Sequence, residues 1–246
     1  MMLRVVSRPS PNFNERVGEG VPDMLILHYT GMQTGEAAMA RLTDPAARVS
    51  AHYTVDEDGT VHAHVDEQLR AWHAGVSSWR GHTDINSRSI GIEIVNPGHE
   101  FGYRPFPDVQ IAAVVELSQG ILSRHRIPAR NVVGHSDVAP SRKEDPGELF
   151  PWALLAREGI GLWPVVRPVS GDRLVPGMSG DLVMALQQDL ACHGYGLDAT
   201  GVYDEATRLV VVAFQRHFRP ALLDGVADGE TQSLLAGLLE SLDVRC

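Results

Sequence analysis

The run MLILHYT, from Met24 to Thr30, is continuously apolar until it closes on polar groups. Such a run reads as a strand buried inside a sheet, and a buried sheet needs other layers over it. The neighbouring segments suit that reading. SAHYTV and TVHAHV flank Asp56-Glu57-Asp58-Gly59, the pattern of a β-hairpin with a short glycine-containing loop. SIGIEIV, Ser89 to Val95, reads as another strand, with Ile90, Ile92 and Ile94 on one face and Gly91, Glu93 and Val95 on the other. From Asp108 to about His125, Ile111, Val114, Val115, Leu117, Ile121 and Leu122 follow helical spacing. NVVGH, Asn131 to His135, reads as a short strand opening into a loop rich in proline and charge. The expected fold class is α/β (α+β), a mixed central β-sheet flanked by helices.

The pattern changes near residue 164. WPVVRPVSGDRLVPGMSG carries three prolines and three glycines. It places a linker over about 165–172, between a first domain, 1–164, and a small C-terminal three-helix domain, 173–246. In the latter, Val183, Leu186 and Leu190 mark one helix. Gly201-Val202-Tyr203-Asp204-Glu205-Ala206-Thr207 then nearly recurs as Gly225-Val226-Ala227-Asp228-Gly229-Glu230-Thr231, each copy setting an Asp N-cap before an apolar helical run.

Composition narrows the partners. Hydrophobic residues make up 43% and charged residues 21% of the chain, ordinary values for a soluble globular protein. The formal net charge of -10 argues against nucleic acid or an anionic membrane surface as a partner. No apolar run approaches the ~20 residues that span a bilayer. Residues 1–20 show no continuous apolar stretch and no small-residue cleavage site, so no signal peptide is read and a cytoplasmic setting is expected. A truncated start leaves a periplasmic or envelope location open. Cys192 and Cys246 form no CxxC pair, so neither a disulfide framework nor a thiolate zinc site follows. The chain is expected to act as a monomer. Of 21 basic residues, Lys143 is the only lysine, which draws attention to its neighbours.

Nine of the 11 histidines fall in the first domain. Taken singly, most are surface or hydrogen-bonded core residues. His28 and His135 differ, because each closes an apolar strand, and strand C-terminal ends are where sites collect in α/β sheets. Asp145 lies ten residues beyond His135 (145 − 135), directly before Pro146. Two imidazoles and one carboxylate form a standard catalytic zinc set with a fourth position for water. Such a metal lowers the pKa of that water from about 15.7 to about 7. On spacing alone, Asp145 reads equally well as a turn residue before Pro-Gly. Glu93 is flanked by Ile92 and Ile94, and a carboxylate there is costly unless it faces a site or a cation. Burial would raise its pKa toward that of a general base, although alternation also permits a solvent-facing side chain. Lys143, two residues before Asp145, is placed to aim an ammonium at a developing oxyanion.

LHYTGM, SAHYTV-DGTV, WHAG, NSRSIGIEIVN and GHSDVAPSRKEDPG occur in this order. Together, over about residues 20–155, they resemble the zinc N-acetylmuramoyl-L-alanine amidases, which include bacterial recycling and lipoprotein enzymes and, more distantly, phage amidases and peptidoglycan-recognition proteins. The resemblance implies Zn2+ held by His28, His135 and Asp145, with Glu93 as general base and Lys143 as oxyanion-stabilising group. It leaves open which of Glu93 and Lys143 polarises the carbonyl and which moves the proton. Phage relatives tend to use a cysteine as third ligand, and none is present here. Trp72, in WHAG, is implied in the groove floor, either as a flat face for sugar or peptide or as packing. His52, His62 and His64 read as structural.

From about Gly171, GMSGDLVMALQQDL, GVYDEATRLVVVAFQ and GVADGETQSLL resemble a small three-helix peptidoglycan-binding domain. The implied partner is peptidoglycan or a muropeptide. The tail offers no candidate ligand, base or oxyanion donor, so it is expected to matter only on an insoluble wall. Two other functions stay open: a non-catalytic muropeptide-binding protein, and a zinc hydrolase of another peptidoglycan amide. The intact ligand set with Glu93 and Lys143 speaks against the first, and the resemblance against the second.

Overall fold

The structure, a computed structural model, describes residues 3–18, 20–165 and 172–242. Most of the expected linker, residues 166–171, and Cys246 lie outside the described residues. The chain opens with strands β1 (Val5–Ser7), β2 (Phe13–Glu15) and β3 (Met24–Tyr29), then helix α1 (Gly35–Thr43). The hairpin β4 (Tyr53–Val55) and β5 (Val61–Ala63) follows, and then β6 (Leu69–Ala71), α2 (Ile85–Arg88) and β7 (Ser89–Ile94). Next come α3 (Gly98–Phe101), α4 (Asp108–Arg124), β8 (Val132–Gly134), α5 (His135–Val138) and α6 (Trp152–Arg157). The C-terminal unit is α7 (Asp181–His193), α8 (Glu205–Phe218) and α9 (Gly229–Ser241). Among the described residues no helix is long and apolar enough to cross a membrane.

Six strands form one mixed sheet in the order β1-β5-β4-β7-β3-β8, and β2 pairs with β6 in a separate ribbon. The β4–β5 pair is antiparallel, and every other pairing in the large sheet is parallel. The expected strands, hairpin and long helix are all present. Strands β1, β2 and β6 are additional to those expected from the sequence.

The two faces of β3 serve different purposes. Leu25 and Leu27 join Ile90, Ile92 and Ile94 of β7 in a cluster with Ile111, Val114 and Ile121 of α4 and Trp152 and Leu155 of α6. Met24 and Ile26 point the other way. They belong to a cluster with Trp79, Ile85, Val133 and Val138 that continues into the C-terminal unit through Val183, Leu190, Tyr195, Phe214 and Leu235. One apolar core therefore runs from the sheet into the last three helices. Met24, Leu25, Ile26 and Leu27 are 0% exposed, and each such burial contributes about 1.5–3 kcal/mol. By the two-residue period, His28 continues the face of Met24 and Ile26. Its parallel register partner is Glu93, so the two side chains leave the sheet side by side.

The near-repeat in the tail is a repeated hydrogen-bond device. Asp204 caps α8 and Asp228 caps α9, each accepting from the amide three residues on at 2.9 Å. In each copy a fully buried glutamine from the preceding helix holds the Gly-Val turn. Gln187 accepts from Gly201 N and donates to Val202 O, and Gln215 does the same to Gly225 and Val226.

Candidate metal centre

His28 at the end of β3 and His135 at the start of α5 meet Asp145 at one end of a cleft of about 380 Å³. His28 Nδ1 and His135 Nδ1 lie 3.0 Å apart, and Asp145 Oδ2 is 2.9 Å from the first and 3.0 Å from the second. All three residues are buried. A triangle of two nitrogens and one carboxylate oxygen with such short edges fits on a sphere of about 2.0–2.1 Å, the bond length of zinc to N and O, with one side left open. The residues that fit a divalent metal are thus the three expected from the sequence.

Hydrogen bonds behind the triangle fix which nitrogen each histidine presents. Ile85 O can only accept, so Ser89 Oγ donates to it at 2.8 Å and accepts from His73 Nε2 at 3.2 Å. His73 Nδ1 then accepts from His28 Nε2 at 3.0 Å, which leaves His28 Nδ1 as a bare lone pair. His135 Nε2 donates to Ala74 O at 3.0 Å, so its Nδ1 is also free to bind a metal. Burial, and then the neighbouring imidazoles, push His73 well below the usual histidine range and keep it neutral. Burial and His135 likewise lower His28 to about 4 against the opposing pull of Asp145. Burial alone would raise Asp145, but His135 and His28 outweigh it and hold the carboxylate far below its usual range.

Glu93 and Lys143 line the same cleft. Burial, reinforced by the charge of Asp145 and opposed by Lys143, raises the Glu93 carboxyl well above the usual range. Its Oε2 is buried without a hydrogen-bond partner. A carboxyl left in that condition is suited to receive a proton. The segment carrying Lys143 and Asp145 is tightly tied down. Ser136 N donates to Asp145 O at 2.9 Å, Lys143 N to Ala139 O at 3.0 Å, and Tyr103 OH to Pro146 O at 2.8 Å. Gly147, at φ 86°, has no room for a Cβ, which would sit 2.2 Å from that tyrosine oxygen.

The other singled-out residues fall into place around this centre. Trp72 is half-buried on the cleft wall, with its indole N–H bonded to Asn14 Oδ1 at 2.6 Å. His52 accepts from Gly91 N at 2.9 Å, and His64 bridges Arg8 O and Thr54 Oγ1, so both brace the sheet. His62 lies 4.0 Å from Asp56, away from the cleft. The sequence reading overlooks His73. It sits in WHAG beside the more conspicuous Trp72, and its contact with His28 comes from 45 residues away.

Two imidazoles at the strand ends of a mixed sheet and a carboxylate from the following loop, beside a protonatable carboxyl whose Oε2 is buried, make the layout of a single-metal hydrolase. The sequence profile of the N-acetylmuramoyl-L-alanine amidases matches residues 18–148. The N-acetylmuramoyl-L-alanine amidase AmiD of Escherichia coli K12 is 41% identical over 232 residues, 88% of this chain and 82% of its own length. The chain belongs to this amidase family. The solved AmiD complex with anhydro-N-acetylmuramic acid-L-Ala-D-γ-Glu-L-Lys matches with a TM-score of 0.78 and 37% identity, covering 94% of this chain and 98% of AmiD. The 1,6-anhydro-N-acetylmuramyl-L-alanine amidase AmpD of Citrobacter freundii is 33% identical over 162 residues, 59% of this chain and 84% of its own length. Residues 179–235 match the profile of a putative peptidoglycan binding domain.

Proposed function

We propose that this chain is a zinc hydrolase that cleaves the amide between N-acetylmuramic acid and L-alanine in peptidoglycan fragments, in cell-wall recycling or remodelling. The observation that carries the reading is the 2.9–3.0 Å triangle of His28 Nδ1, His135 Nδ1 and Asp145 Oδ2 with the unpartnered Glu93 beside it. The AmiD complex, solved with a muramyl peptide, supports the substrate class.

His28, His135 and Asp145 would hold the zinc, which supplies Lewis acidity and makes water a nucleophile near neutral pH. Glu93, raised by its burial, takes the proton of the attacking water and passes it to the alanine nitrogen as the amide breaks. The ammonium of Lys143 has donors and no acceptor, so it serves the carbonyl oxygen as that atom gains charge. Trp72 offers an aromatic wall along the cleft for sugar or peptide. Residues 179–235 would add affinity for the wall polymer.

The test is product analysis on a soluble anhydromuramyl peptide. The expected products are the free muramyl acid and a peptide with a new L-alanine amino terminus. Chelation should abolish turnover and zinc restore it. Glu93→Gln should keep zinc and fold while turnover drops about 10²-fold or more. Released acetate, a cut cross-link, chelator-resistant turnover or a fully active Glu93→Gln enzyme would each overturn the assignment.

A further inference from the structure

The segment 134–148 carries His135, Lys143 and Asp145, and its outer side is held by the C-terminal unit. Asp137, two residues after His135, is 1% exposed. Its carboxylate accepts from three donors, each at 2.7 Å: Gly134 N within its own turn, Tyr195 OH beyond α7, and His217 Nδ1 on α8. Two of the three donors to this buried carboxylate therefore come from the tail. The His217 ring, itself buried, stacks on Trp152 of α6 with centroids 3.8 Å apart and planes 19° apart. The adjacent Arg216, buried as well, reaches Glu144 at 3.4 Å and Glu148 at 3.7 Å. Glu144 stands between Lys143 and Asp145 in the chain.

The contact extends to the segment that follows His73. Arg80 N donates to Gly194 O at 2.7 Å, and Trp79 meets Tyr195 edge-on at 5.2 Å. A Cβ on Gly194 would lie 2.5 Å from the Trp79 ring, so glycine is what allows the two segments this close. The polymer-binding role expected of such a tail requires none of this. A tethered module acts through effective concentration and can be joined by a loose linker. Here the tail instead supplies hydrogen bonds to a buried charge next to a metal-ligand position, where an unpaired carboxylate is costly.

We infer that Tyr195 and His217 of the C-terminal unit are positioning residues for the catalytic segment: they hold Asp137, and through it the turn that presents His135. This rests on the proposed zinc reading of the site. The effect belongs to the centre itself and so applies to soluble substrates as much as to the wall.

The experiment uses the full chain with three substitutions. Tyr195→Phe removes one hydroxyl and keeps the ring. His217→Leu removes the donor and keeps an apolar side chain. His217→Asn places an amide nitrogen near the position of Nδ1. Zinc affinity is read by competition with a chromophoric chelator, and kcat and KM on a soluble anhydromuramyl peptide. Outer partners of metal ligands are worth about 10–100-fold in affinity or activity. Tyr195→Phe and His217→Leu are therefore expected to weaken zinc and lower kcat by about tenfold with KM little changed. His217→Asn should recover most of both. Should His217→Leu fail to fold, Tyr195→Phe still decides the matter. Wild-type zinc affinity and kcat in folded Tyr195→Phe, or an Asn variant no better than Leu, would overturn the inference. A wild-type chain that binds no zinc would instead remove the reading beneath it.

Discussion

Gly91 and His73 show how closely the centre is supported at the scale of single residues. On β7, a Cβ at Gly91 would lie 2.6 Å from the His73 ring, so only glycine lets that ring stand against the sheet and meet His28. Removing the Nδ1 acceptor of that ring leaves His28 free to flip or to take the other tautomer. His73→Phe should therefore bind zinc about 10–100-fold more weakly, by chelator competition, while the fold survives. Gly91→Ala should act in the same direction by displacing the ring. An unchanged zinc affinity in folded His73→Phe would reduce His73 to packing. His28, His135, Glu93 and Lys143 stood out in sequence because they close apolar strands, interrupt one, or break an otherwise all-arginine usage, whereas Asp145 was singled out only through the family resemblance. His73 did not stand out, because what it does depends on a tautomer chain through Ser89 to Ile85 O that no spacing displays.

Between elements, the join of α4 to the hairpin depends on one carboxylate. Glu67, in the turn between β5 and β6, accepts from Tyr53 OH at 2.8 Å, Arg124 Nη2 at 2.7 Å and His125 Nε2 at 2.7 Å. Burial works to raise its pKa, but the bonds from Arg124, His125 and Tyr53 prevail and lower it to about 2. A carboxyl depressed on folding stabilises above its unfolded pKa, about 4.3, and loses that contribution as pH falls through the folded value. Wild type should thus exceed Glu67→Gln in stability by about 1–2 kcal/mol at pH 7, after allowance for screening by nearby water. The gap should close between about pH 5 and pH 2. Thermal midpoints of both proteins across that range check it, and a gap independent of pH would refute the assignment. The hairpin and α4 were each readable from local pattern. The tie between them was not, since Glu67 and Arg124 are 57 residues apart.

Across the whole molecule, the shared core makes the tail more than an appendage. A chain ending at residue 165 would uncover Met24, Ile26, Trp79, Val133 and Val138, which now pack with the C-terminal helices. Such a truncation is expected to lower the thermal midpoint and to slow turnover on a soluble muropeptide. The sequence reading expects an effect on insoluble wall only, and full activity of the truncated protein on soluble substrate would restore that view. What the chain's own order of residues determined is local: buried runs, a hairpin, capped helices, and a set of side chains whose chemistry suits zinc and amide hydrolysis. The elements follow from short-range periodicity and residue type, and the set of side chains from the order of motifs that resembles the amidase family. Only the tertiary structure decided that His28 presents Nδ1, that Glu93 is left unpartnered, and that His217 and Tyr195 reach Asp137. Those outcomes depend on which distant segments the sheet's second face brings together, and burial and hydrogen-bond pairing across 58–80 residues leave no repeat or spacing along the chain.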